Sequence, residues 1–148
     1  MARVSGTIRL AAPQQEVWRL ISDPFELPKW WPKVVRVESH SSDSFTEVLT
    51  TEKGRDVRAD FKIVAMDPPR HWSFVQELEE TPFEAVLRSA RTTVMLEENG
   101  DEATTLSLTL ERNLRGLGRF GGPMMRKASK TQLTHALERL GEIHGRLD

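Results

Sequence analysis

The run Asp23-Pro24-Phe25-Glu26-Leu27-Pro28-Lys29-Trp30-Trp31-Pro32 decides how the rest of the chain is read. Proline fixes φ, lacks an N–H and pushes the residue before it out of the α region, so each of these prolines punctuates a short element. Phe25 to Trp31 has room for at most two helical turns. Two adjacent tryptophans on so short a connection bring a large apolar area and one N–H handle each. Such a pair suits the closing wall of an apolar interior, and the flanking sequence shows what that interior is made of.

On the N-terminal side, Val4, Gly6, Ile8 and Leu10 alternate with Ser5, Thr7 and Arg9, the period of a strand. Ala11-Ala12-Pro13 breaks it, with Pro13 suited to a first helical position. Gln14 to Ser22 reads as a short helix that gathers Val17, Leu20 and Ile21 on one face, and Asp23-Pro24 ends it.

On the C-terminal side the period becomes two. Strands are expected at Val34–Ser39, Phe45–Lys53, Val57–Ala65, His71–Glu79, Glu84–Glu97 and Thr104–Arg112. Turns are expected at Ser41–Ser44, Gly54-Arg55, Asp67-Pro68-Pro69-Arg70, Glu80-Thr81-Pro82 and Asn99-Gly100-Asp101. Gly121-Gly122-Pro123 then opens a helix over Met124–Leu147, whose Leu133, Ala136, Leu137, Leu140, Ile143, His144 and Leu147 recur at three- and four-residue steps. The expectation is one α+β domain over residues 1–148: a seven-stranded antiparallel sheet, two short helices between strands 1 and 2, and a long C-terminal helix.

Composition narrows the function classes. A 148-residue chain with 38% hydrophobic and 29% charged residues can bury a substantial core. A net charge of −1 supplies no global field toward nucleic acid or membrane. No cysteine is present, which excludes disulfides, thiolate nucleophiles and Cys-ligated zinc and agrees with a cytoplasmic location. No apolar run reads as a signal peptide or a membrane span. His40, His71, His135 and His144 show no metal-chelating spacing, and neither a Gly-x-Ser-x-Gly elbow nor a P-loop ending occurs, so no metal and no cofactor are expected. The glycine-rich run Arg115–Pro123 reads as a loop leading into a helix. The basic residues Arg112, Arg115, Arg119, Arg126, Lys127 and Lys130 read as a solvated face or, at a helix start, an anion-favouring patch.

The element order, the Asp-Pro followed by Trp-Trp-Pro, the Asp67-Pro68-Pro69-Arg70 turn before the Trp72 strand and the Arg/Leu-rich last helix together resemble the START-like, or SRPBCC (Bet v 1-like), superfamily. The branch most resembled is the bacterial polyketide cyclase/dehydrase-like group, and the resemblance covers essentially the whole chain. It implies a helix-grip fold in which the curved sheet wraps the last helix around a deep cavity. It also implies binding of lipid- or polyketide-like molecules, with catalysis in some members. Catalytic relatives place tyrosine or histidine around a reactive carbonyl; this chain has no tyrosine, so no catalytic residue is carried over.

Three sets of residues are candidates for such a cavity. Trp30 or Trp31 would stand at its rim, the other packing as core. Phe61, Phe74 and Leu108 would form apolar walls. Strand parity turns Gln76, Arg88 and Thr92 inward with Trp72, Phe74, Val86 and Val94. Arg88 is open to three readings: an anchor for a ligand carboxylate, a partner for an inward acid, or an outward residue at a bulge. The expected partner is a hydrophobic or amphipathic small molecule, with no nucleic acid and no membrane span, and a homo-oligomer is compatible with the chain. An aromatase/cyclase-type enzyme and a protein- or membrane-interaction module are the competing functions.

Overall fold

The computed structural model describes residues 2–38, 41–51, 53–116 and 118–147. The chain runs β1 (Ala2–Leu10), α1 (Gln14–Ile21), a 3₁₀ turn (Pro24–Glu26), α2 (Leu27–Trp30), β2 (Val34–Glu38), β3 (Ser44–Thr50), β4 (Asp56–Asp67) and β5 (His71–Glu77). A second 3₁₀ turn (Pro82–Ala85) leads to β6 (Leu87–Glu98), β7 (Thr104–Leu114), α3 (Gly118–His144) and β8 (Arg146–Leu147). The strands form one antiparallel sheet in the order β2-β3-β4-β5-β6-β7-β1-β8. This is the expected α+β helix-grip, with β8 as an eighth, two-residue strand.

The short elements around the tryptophans follow from their capping residues. Pro13 is the N-cap of α1 rather than its first helical residue, and its carbonyl accepts from the Glu16 and Val17 N–H groups. The Asp23 side chain accepts from the Phe25 N–H at 3.0 Å and so starts the 3₁₀ turn. Leu27, Trp30 and Trp31 are then delivered into the core, with the tryptophan rings edge-to-face at 5.8 Å. An Arg139 Nη2 donating to the Lys29 carbonyl at 2.8 Å ties this segment to α3.

Directly paired residues share a sheet face, so the registers define an inner face. From β3 to β1 it carries Phe45, Glu47 and Leu49, then Val57, Ala59, Phe61 and Ile63, then Trp72, Phe74 and Gln76. Ala90, Thr92, Val94 and Leu96 follow, then Leu106, Leu108, Leu110 and Arg112, then Ala2, Val4, Gly6 and Ile8. Helix α3 packs on this face over β1 and β7, using Ser129, Leu133, Ala136 and Leu140 as its buried stripe. Gly6 permits the approach: a Cβ there would lie 3.0 Å from Leu137 Cδ1 and 3.3 Å from Leu133 Cδ2.

Several boundaries differ from the sequence reading. Ser39 and His40 lie outside the described residues, as do Leu117 and the side chains of Arg119 and Phe120 in the glycine-rich run. Helix α3 starts at Gly118, placing Pro123 within it. Gly122, directly before Pro123, has no Cβ to meet the proline ring. It stops at His144, because Gly145 adopts φ 84° and turns the chain so that Arg146 and Leu147 pair with Leu10 and Arg9. Leu147 is therefore a strand residue and not part of the helical stripe. Ala65 leaves the inner face because the register shifts between Ile63 and Ala65. Glu84 to Val86 belongs to the second 3₁₀ turn and its C-cap, where Val86 is exposed.

Candidate functional site

Burial along the inner face is graded. Leu106, Leu108 and Leu110, in the half that α3 covers, are fully buried, as is Trp72. Toward β3 and β4, Leu49, Val57, Phe61, Ile63 and Gln76 also point inward but are only half-buried. Phe45, Phe61 and Phe74 make a continuous ring cluster there: Phe45 stacks on Phe61 at 5.3 Å, and Phe74 meets their edges at 5.3 and 5.5 Å. Trp72 extends the cluster, 4.9 Å from Phe74. The half-buried Phe61 thus lies against the buried Phe45 and Phe74.

Four polar side chains interrupt this apolar face away from the hairpin ends: Glu47, Gln76, Thr92 and Arg112. Glu47 pairs with Val37 and Ala59 across β2 and β4 and is 3% exposed. It makes no hydrogen bond or ion pair among the described residues. Burial pushes its carboxyl up to about 8, against a smaller opposing pull from the Arg112 charge. Glu38, nine residues earlier on the solvated β2, shows the reverse: hydrogen bonds from Arg58 (2.8 and 3.0 Å) and Arg36 hold it below the usual carboxylate range.

Arg112 is half-buried, and desolvation lowers its pKa while the Glu47 charge opposes that. Its Nη1 donates to the Arg91 and Glu111 carbonyls, both at 3.1 Å. The other guanidinium donors, on Nε and Nη2, have no partner among the described residues. The buried Trp30 Nε1, Trp72 Nε1, Ser129 Oγ and His144 Nε2 atoms have no partner among the described residues.

The sequence-predicted site residues divide. Phe61, Phe74, Gln76 and Thr92 come together on the inner face, with Phe61 opposite Gln76 and Phe74 opposite Thr92. Leu108 shares that face but lies in the half under α3, opposite Gly6. Trp30 and Trp31 are both core, at 0% and 8% exposure, so neither stands at an exposed rim; burying two indoles against α3 and β2 outweighs leaving one in solvent. Arg88 is exposed and is the extra residue of a bulge between Leu87 and Ser89, which removes it from the inward parity. His135, between Leu133 and Leu137 in sequence, is exposed on α3.

Glu47 was not singled out by sequence, and Arg112 was read only as one of a basic set on a solvated face or an anion-favouring patch. The signal was there: Glu47 alternates with Phe45 and Leu49, and Arg112 continues Leu106-Leu108-Leu110. Surface clefts lie elsewhere. One of about 610 Å³ runs beside Gln14, Arg70, His71 and Met95, and one of about 320 Å³ beside Ile8, Gly141 and Arg146. Among the described residues no group of acidic or histidine side chains could hold a metal ion, and no helix is long and apolar enough to cross a membrane.

The fold is shared with solved structures. A START superfamily protein from Mycobacterium smegmatis superposes with TM-score 0.78 at 15% identity, with 97% of each chain covered. The Zhui aromatase/cyclase from Streptomyces sp. R1128 gives 0.75 at 20% identity, covering 95% of this chain and 92% of that one. The di-domain aromatase/cyclase BexL of the BE-7585A biosynthetic pathway gives 0.79 at 21% identity over 96% of this chain, which spans only 46% of BexL. No curated protein matches in sequence. The family model for polyketide cyclase / dehydrase and lipid transport matches residues 1–144, and with an inner sheet face gripped by one long helix, the chain belongs to that family.

Proposed function

We propose that the inner face binds a hydrophobic or amphipathic small molecule, lipid- or polyketide-like, between the sheet and α3. The observation that carries this reading is the graded cover: Phe61 and Gln76 point inward yet stay half-buried beside the Phe45–Phe74 cluster. A guest there would complete the burial of Phe61 and its half-buried neighbours Leu49, Val57 and Ile63, and Gln76 and Thr92 would orient its polar end. Trp30 and Trp31 would sense it from the core beneath. The test is a titration with 11-(dansylamino)undecanoic acid followed by dansyl emission and tryptophan quenching. Saturable binding that weakens in Phe61→Ala and Gln76→Ala supports the reading; no binding overturns it.

An enzyme of aromatase/cyclase type is the second reading, and Glu47 is the observation that favours it. A desolvated carboxyl whose pKa lies near neutrality is suited to general acid or base work. Turnover of a poly-β-ketone mimic that is lost in Glu47→Gln while binding persists would establish it.

A further inference from the structure

The polar groups of the inner face specify more than an apolar guest. Resting on the binding reading above, we propose that the site selects amphipathic acids: a ligand carboxylate is held by the free Arg112 donors and accepts a hydrogen bond from the Glu47 carboxyl, while its apolar body lies along Phe61 and Phe74. Arg112 is anchored through Nη1 to two backbone carbonyls, which fixes the guanidinium and leaves Nε and Nη2 unspent. A planar fork with unpaired donors is matched to a carboxylate. Glu47 and Arg112 share the inner face and sense each other's charge, yet form no ion pair among the described residues. Burial keeps Glu47 protonated at neutral pH, so it is a donor there and not a second negative charge that would repel the ligand.

Three features separate this arrangement from a structural ion pair. The Glu47 side chain is 3% exposed and makes no hydrogen bond among the described residues. The arginine is held from behind by its own sheet. The wall beside them is aromatic, with Phe61 half-buried against Phe45 and Phe74. Arg88, on its exposed bulge, takes no part.

The experiment compares 11-(dansylamino)undecanoic acid with its methyl ester on the full chain at neutral pH. The acid is expected to bind at least roughly tenfold tighter than the ester, the ratio one charge-assisted hydrogen bond supplies. The preference should vanish in Arg112→Met, shrink in Arg112→Lys and persist in Arg88→Gln. Acid and ester binding equally well would overturn acid selection while leaving the binding reading intact. A preference that survives in folded Arg112→Met would overturn the anchor. If neither probe binds, both readings fail together. The wild-type comparison of acid and ester does not depend on any variant folding.

Discussion

Glu47 is the residue whose environment departs furthest from its sequence neighbourhood. Its carboxyl is raised from 4.5 to about 8 by burial, so the folded state holds a proton that the unfolded chain releases. Its contribution to stability is fully present below about 4.5 and is lost as pH rises toward about 8. His144 has the opposite sense: burial lowers its pKa below 6.5, so its contribution is present above 6.5 and is lost as pH falls through its folded value. The window from 6.5 to 8 therefore isolates Glu47. Urea unfolding should show stability falling by about 1–2 kcal/mol across that window, at most one proton's worth of linkage. Glu47→Gln should flatten this slope; an unchanged slope would place the titrating group elsewhere. At the same scale, Arg88→Ala should leave probe affinity within about twofold, because a solvated bulge residue contributes little to a buried site.

Among the elements, α3 and its terminus carry the most testable packing. Leu140 is fully buried against the sheet, whereas Leu137 is half-buried at the edge of the same stripe. Leu140→Ala should cost about 2–5 kcal/mol in chemical denaturation and Leu137→Ala clearly less. Equal costs would mean that the helix is rotated from the face described. Gly145, at φ 84°, sets the turn into β8, and a Cβ there would stand 3.3 Å from that of Ala11. Gly145→Ala should cost about 1–2 kcal/mol from the left-handed backbone alone and should speed amide exchange at Arg146 and Leu147. Retained protection at those amides would show that β8 does not depend on this turn.

For the whole molecule, burial is distributed unevenly: α3 seals the β1–β7 half of the sheet, and in the β3–β5 half Leu49, Val57, Phe61, Ile63 and Gln76 stay half-buried beside the buried Phe45, Trp72 and Phe74. A ligand that binds the folded state alone stabilises it by mass action, about 2.7 kcal/mol at a hundredfold excess over Kd. The dansyl acid should therefore raise the melting temperature in a dose-dependent way, and Phe61→Ala should reduce that rise. No shift at saturating probe would argue that the guest does not engage the folded inner face.

The sequence by itself determined the element order. Prolines at 24, 28 and 32 limited the first helices, period-two alternation marked the strands, and Leu133, Ala136 and Leu140 marked the face of the last helix. Those signals are local, since each depends on φ limits or on a repeat within one segment. The inward set Phe61, Phe74, Gln76 and Thr92 was legible for the same reason: parity within one strand is enough to sort it. Tertiary structure decided what parity could not. A single bulge at Arg88 turned that side chain outward, another displaced Ala65, and one left-handed glycine turned the end of the helix into a strand. It also decided that Glu47 and Arg112 share one face although they are 65 residues apart in the chain. A side chain's register across five strands, and the burial that shifts a carboxyl's pKa, are properties of the assembled sheet and of no segment alone.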